Sequence, residues 1–94
     1  DMDYEKAFMQ NILPKLDAFK PEFILISAGF DAHQADPLAN INLSTGSFTW
    51  MTERIMEEAN QHCENRIISL LEGGYDLNAL PVCIGKHLEV LLQQ

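Results

Sequence analysis

Basic residues are scarce in this chain of 94 residues, and their scarcity excludes two classes of partner. Six lysines and arginines stand against fourteen aspartates and glutamates, which gives a formal net charge of −8. The six are scattered along the sequence, whereas nucleic acids and anionic membrane surfaces bind clustered basic side chains. We therefore expect no nucleic-acid partner and no membrane partner.

Long apolar runs and cysteines are also few. No run approaches the ~20 apolar residues that cross a bilayer, and no basic-then-apolar signal pattern stands at the N-terminus. This composition predicts a soluble, cytoplasmic protein. Cys63 and Cys83 form no CxxC pair, so we interpret both as small hydrophobic residues in a reducing compartment.

Hydrophobic periodicity predicts five elements in the order α-β-α-β-α. Pro14 falls inside the first helix and should kink or split it, because proline removes a backbone donor and crowds the preceding turn. Asn78 is the predicted cap of the last helix. The predicted helices are residues 4–19, about 45–62 and 79–92, and the predicted strands are residues 23–28 and 66–71.

The two strand segments are apolar without alternation, which is typical of a parallel sheet covered on both faces. We therefore predict an α/β fold, a partial three-layer parallel sheet with flanking helices, over residues 1–94 as a single unit. A self-sufficient parallel sheet usually has more than two strands. The sequence thus indicates a piece of a larger domain.

A polar loop follows the first predicted strand, and residues 27–38 of this loop read SAGFDAHQADPL. Open α/β sheets bind their ligands in loops that follow buried strands, so the two carboxylates and the histidine are candidate binding groups. Taken alone, Asp31 and Asp36 fit side-chain caps of loop turns better than ligand binding.

The second predicted strand runs into LEGGY at residues 71–75. Gly73 and Gly74 lack a Cβ, which lets the backbone turn sharply and approach a ligand closely. Tyr75 then emerges beside the strand end, where a phenol can donate a hydrogen bond to an oxyanion. An ordinary turn with a packing aromatic residue is the alternative.

The two motifs together closely resemble the C-terminal part of the zinc-dependent histone deacetylase and acetylpolyamine amidohydrolase family, which has an arginase/deacetylase-type α/β fold. The resemblance implies that Asp36 is a zinc ligand and that Tyr75 is the catalytic hydrogen-bond donor to the oxyanion. It also implies that Leu43, Gly73 and Gly74 line the substrate channel, although Leu43 is equally consistent with a core leucine.

Other parts of the family's constellation have no counterpart here. The letters D-x-H recur at Asp31 and His33, but the resemblance places His33 at a position that is not a ligand. The family's adjacent histidine pair, which acts as the general base, is absent, and so are the other two zinc ligands. We interpret His62 and His87 as solvated or half-buried helix residues.

We therefore predict a fragment of a zinc-dependent amidohydrolase that acts on acetylated amines, either acetyl-lysine or an acetylpolyamine. The fragment is expected to be inactive alone and to bind no zinc tightly. The alternative is a small self-associating binding or assembly module derived from the deacetylase fold, and a third hypothesis is an enzyme completed by pairing of chains. An open sheet edge and uncovered apolar faces predict a homo-oligomer, most simply a dimer.

Overall fold

The computed structural model describes residues 1–36 and 43–93, and the elements follow the predicted order. Residues 37–42, which include the Pro-Leu end of the first motif, lie outside the described residues. The helices are α1 (Met2–Ala7), α2 (Leu13–Phe19), α3 (Thr45–His62) and α4 (Ala79–Leu91), the strands are β1 (Ile24–Ala28) and β2 (Ile67–Leu71), and a π-helical segment (Phe8–Ile12) joins α1 to α2.

Pro14 alters the first helix as predicted. It lies in the first turn of α2, directly after the π-helical segment. Its ring lacks an N–H and crowds the carbonyl four residues earlier, and a wider π-helical turn is a common way to relieve that crowding. The helix ends at Phe19, and its C-cap Lys20 has a left-handed backbone (φ 55°) that turns the chain away, while the N–H of Lys20 still donates to the carbonyl of Leu16 at 3.0 Å.

The two strands are parallel, with Ile24 opposite Ile67 and Ala28 opposite Leu71. The crossover between them contains α3, which confirms the predicted β-α-β unit. Because the strands are parallel, their carboxyl ends lie at the same edge of the sheet.

One face of this sheet packs against helices. Its apolar contacts form two clusters, one around Ile24 with Ala59 and Cys63, and one around Ala28 with Phe30 and Cys83. Both cysteines are buried free thiols, which confirms their interpretation as small hydrophobic residues.

The opposite face of the sheet is exposed in the part of the chain that the structure describes. Leu25 is 68% exposed and Leu70 is 57% exposed, and Ile68 lies beside them. The strand sequences predicted two covered faces, and the described helices cover only one of them. No described element therefore packs on the apolar residues of the second face.

The two long helices begin with different caps. The side chain of Ser44 accepts a hydrogen bond from the N–H of Ser47 at 3.2 Å and caps α3. Asn78 is the N-cap residue of α4, as predicted, but its side chain makes no capping hydrogen bond. Instead Asp76 Oδ1 accepts from the N–H groups of Asn78 and Ala79 at 3.0 and 2.8 Å, the local bonding that aspartate makes two and three residues ahead.

Among the described residues, no helix combines the length and the apolar character that crossing a membrane requires.

Candidate active site

The loops that follow β1 and β2 meet at the carboxyl edge of the sheet. The N–H of Glu72 donates to the carbonyl of Ala28 at 2.9 Å, and the N–H of Phe30 donates to the carbonyl of Gly73 at 2.8 Å. These two bonds extend the parallel ladder beyond both strands. The two sequence motifs are thus held side by side by their own backbones.

Asp36 and Tyr75 converge in this arrangement although 39 positions separate them. Asp36 Oδ2 accepts a hydrogen bond from the backbone N–H of Tyr75 at 2.8 Å. Asp36 is only 7% exposed, and a buried carboxylate is costly unless hydrogen bonds replace its water. The N–H of Tyr75 supplies one of these bonds, so the two loops meet at the edge where both parallel strands end.

The side chain of Tyr75 remains accessible. Tyr75 is 52% exposed and lines an open cleft of about 410 Å³ at the sheet edge. Its backbone N–H is held by the buried carboxylate of Asp36, while the residue itself stays open to the cleft. The cleft is lined by Ser27, Gly29, Asp31, Glu72, Gly73 and Tyr75.

The structure explains the two glycines before Tyr75 in different ways. Gly74 has a φ of +132°, a conformation that residues with a Cβ rarely adopt, and a Cβ there would lie 2.7 Å from Leu80 Cδ1. A Cβ on Gly73 would lie 3.2 Å from the carboxyl carbon of Asp31. Gly73 also lines the cleft, and the channel role of both glycines stays a prediction.

Leu43 is a core residue in this structure, since it is 2% exposed. Its N–H donates to the carbonyl of Ala32 at 2.9 Å, and its carbonyl accepts from the N–H of Gln34 at 2.7 Å. These two bonds pair the backbone of Leu43 with that of the first motif. A substrate-channel role for Leu43 stays a prediction, and the packing agrees with the alternative that the sequence left open.

His33 is buried, and both of its ring nitrogens are hydrogen-bonded within the chain. Nδ1 accepts from the N–H of Ala35 at 3.0 Å, so the ring proton lies on Nε2, which donates to Thr45 Oγ1 at 3.0 Å. The ring also stacks on Phe48. These contacts pin the motif loop to the first turn of α3 and support the prediction that His33 is not a metal ligand.

Thr45 connects this loop to α4 as well. Its hydroxyl lies 3.7 Å from Cys83 Sγ. Burial raises the pKa of the Cys83 thiol, and the hydrogen bond with Thr45 opposes that effect without cancelling it. Cys83 therefore stays a neutral packing residue behind the motif loop.

A buried network of polar side chains, which sequence reasoning missed, lies behind the same edge. Thr52 Oγ1 donates to the carbonyl of Phe48 at 2.9 Å, so it accepts from His87 Nδ1–H at 2.9 Å. His87 Nε2 then accepts from the hydroxyl of Ser69 at 2.7 Å. These hydrogen bonds join α3, α4 and β2 in one network.

The interpretation of His87 as a solvated or half-buried residue was wrong, because His87 is 8% exposed. Burial disfavours the charged imidazolium and lowers the pKa of His87. A signal was present in the sequence: His87 follows the buried Cys83 by four residues and precedes the buried Val90 by three, which places it on the inner stripe of α4.

A family model described as the histone deacetylase domain matches residues 1–91 of this chain. The chain is 40% identical over 91 residues to "Type-2 histone deacetylase 2" of Dictyostelium discoideum, an alignment that covers 94% of this chain and 5% of that protein. It is 47% identical over 86 residues to "Histone deacetylase 10, chloroplastic" of Oryza sativa subsp. japonica, covering 92% of this chain and 19% of that protein.

The fold has close counterparts among solved structures. The crystal structure of the HDA15 HD domain superposes with a TM-score of 0.86 and 35% sequence identity, covering 98% of this chain and 25% of that one. The chain therefore spans a quarter or less of each of these three proteins.

Proposed function

Because the chain belongs to the histone deacetylase family, we propose that it forms the part of a deacylase site that carries the catalytic tyrosine and one metal ligand. In this proposal Tyr75 donates a hydrogen bond to the carbonyl oxygen of an acetylated amine, either acetyl-lysine or an acetylpolyamine. Asp36 is the metal ligand. The observation that carries the proposal is the 2.8 Å bond from the Tyr75 N–H to Asp36 Oδ2, which couples the two groups.

The residues present fit one ligand position of a zinc site. Catalytic zinc takes three protein ligands from histidines and carboxylates and keeps a further position open. Asp36 offers a buried carboxylate that a backbone N–H already orients, as the supporting bonds of metal ligands do. Zinc, when bound, would polarise the acyl carbonyl and activate a water molecule.

This chain's own contribution is orientation and hydrogen-bond donation. The Tyr75 N–H holds Asp36, and in this proposal the hydroxyl of the exposed Tyr75 side chain reaches an acyl oxygen bound in the cleft. A hydrogen bond of this kind, stronger to the developing oxyanion than to the ground-state carbonyl, is worth about 3 to 4 kcal/mol of transition-state stabilisation. Turnover would also need a general base and further ligands, so the isolated chain is expected to be inactive.

A segment exchange tests the proposal. Residues 1–91 of this chain would replace the matching segment of the HDA15 HD domain, to which the fold corresponds with a TM-score of 0.86. Release of acetate from an acetyl-lysine peptide and from an acetylpolyamine would then be measured. The folded chimera is expected to be active on one of the two substrates.

Two substitutions in the chimera separate the roles. Tyr75→Phe should lower kcat by about 10² to 10³ with little change in KM, as expected for a transition-state hydrogen bond, and Asp36→Asn should abolish turnover and zinc retention. Tyr4→Phe is the matched control, because Tyr4 is a partly exposed tyrosine on α1 and should leave kcat unchanged. A folded chimera without activity, or one in which Tyr75→Phe behaves like Tyr4→Phe, would contradict the proposal.

A second candidate function is that of a self-associating module, and the exposed sheet face favours it. Leu25, Ile68 and Leu70 form an apolar surface on two strands whose outer edges carry no further strand among the described residues. Such a surface is typical of an interaction site.

The proposal includes a reducing, cytoplasmic location, which the two buried free thiols support.

A further inference from the structure

Three side chains with metal-ligand chemistry meet where α2 packs against α3. They are Asp17 of α2 and Glu58 and His62 of α3, and their ligand atoms all lie within 4.8 Å of one another. His62 Nε2 lies 2.9 Å from Asp17 Oδ1 and 3.2 Å from Glu58 Oε2. Glu58 and His62 are four residues apart, which places them on one face of the helix.

The cluster is distinct from the candidate active site. The motif loop is bonded to Thr45 at the first turn of α3, whereas His62 is the last residue of that helix. Seventeen residues of helix separate the two, a distance of about 25 Å at 1.5 Å per residue. No residue of the two sequence motifs belongs to the cluster.

One atom of the cluster is left unsatisfied. Glu58 Oε2 is buried, and no described residue donates a hydrogen bond to it. His62 Nε2 has a single hydrogen, which the bond to Asp17 Oδ1 uses. A buried carboxylate oxygen without a donor is destabilising.

A cation in place of the Nε2 hydrogen would satisfy all three groups together. Ligand atoms about 2.0 to 2.1 Å from a tetrahedral metal lie about 3.3 Å apart, close to the two separations seen here. We propose that Asp17, Glu58 and His62 form a site for a divalent transition-metal cation of the zinc class, which joins α2 to α3. Imidazole favours this class over magnesium or calcium, which prefer all-oxygen ligands.

The accessibility of the three side chains agrees with this assignment. The His62 and Glu58 side chains are 9% and 14% exposed, whereas that of Asp17 is 57% exposed. Asp17 therefore closes the site from the solvent side, and water can take the fourth position there. Two carboxylates balance the charge of the cation.

Titration of the purified chain with Zn²⁺, followed by calorimetry, tests the site, and the absorption spectrum with Co²⁺ reports its coordination. We expect one ion per chain and a higher thermal midpoint with Zn²⁺. Asp17→Asn, Glu58→Gln and His62→Ala should each weaken binding at least tenfold, because even outer-shell partners of a metal are worth about 10- to 100-fold. Since Asp17 is mostly exposed, Asp17→Asn keeps the test valid if an α3 variant fails to fold.

Two matched variants make the result specific. Glu57→Gln removes an exposed carboxylate next to Glu58, and Asp36→Asn removes the proposed ligand at the sheet edge, so neither should change the affinity. Absence of Zn²⁺ binding would overturn the assignment, as would binding that survives Asp17→Asn but is lost in Asp36→Asn. Displacement of Zn²⁺ by excess Mg²⁺ would overturn the class of metal.

Discussion

Replacement of Gly74 by alanine should destabilise the fold strongly, because this glycine is required on two separate grounds. Its φ of +132° is a backbone conformation that residues with a Cβ rarely adopt. The added Cβ would also lie 2.7 Å from Leu80 Cδ1 and 3.2 Å from Phe30 Cβ. Leu80 can move the end of its side chain, whereas Phe30 is buried and only 5% exposed.

The magnitude follows from these two terms. Backbone strain of this kind costs about 1 to 3 kcal/mol, and forcing a side chain such as Leu80 off its rotamer costs about 0.5 to 1.5 kcal/mol. The sum is about 2 to 4 kcal/mol, out of a total stability of about 5 to 14 kcal/mol for a chain of this length. The thermal midpoint should fall by about 10 °C or more.

Gly85→Ala is the matched control. Gly85 lies inside α4, and a Cβ there would meet nothing within 4 Å. Alanine in a helix interior is about 1 kcal/mol better than glycine, so this variant should melt several degrees above the parent chain. Urea and thermal denaturation, followed by circular dichroism, measure both variants. A Gly74→Ala chain that unfolds at or above the parent midpoint would refute the steric argument.

Three further predictions concern pH, assembly and activity. Burial lowers the pKa of His87 in the folded chain, so the unfolding free energy should fall as the pH decreases below about 6.5, by up to about 1.4 kcal/mol per pH unit. Urea denaturation at several pH values measures this dependence, and in His87→Gln the unfolding free energy should change less with pH. Sedimentation at micromolar concentration should show a dimer that Leu70→Glu dissociates, and a stable parent monomer would count against this. The isolated chain with zinc should not hydrolyse an acetyl-lysine peptide; turnover that both chelation and Tyr75→Phe abolish would contradict this.

The sequence predicted the fold well where local rules decide the structure. Apolar periodicity found both strands and both long helices of the described residues within about one or two residues, and the proline predicted to kink or split the first helix directly follows the π-helical segment. Asn78 was predicted correctly as the N-cap residue of α4, but the side chain that bonds the free N–H groups is that of Asp76. Both residues are suitable, and only the backbone path decides which side chain reaches those groups.

The candidate site was predictable to the extent that it depends on topology. The predicted parallel sheet brings the carboxyl ends of both strands to one edge, which places the two motif loops side by side, whereas the bond between Asp36 and Tyr75 depends on the path of the loop after β1. The long-range polar partners did not follow. The bonds of His33 to Thr45 and of His87 to Ser69 join residues 12 and 18 positions apart, and their pairing depends on how helices pack on the sheet.

The exposed sheet face relates the strand sequences to the relatives of this chain. Both strands are apolar at odd and even positions alike, yet the described helices bury only one face. A strand with one solvated face normally alternates between apolar and polar residues, so the continuous apolar pattern indicates a sheet that is covered twice. The HDA15 HD domain, of which this chain matches 25%, contains three times as much additional chain with which to cover such a face. In a chain by itself, the same apolar surface is free to bind a second copy.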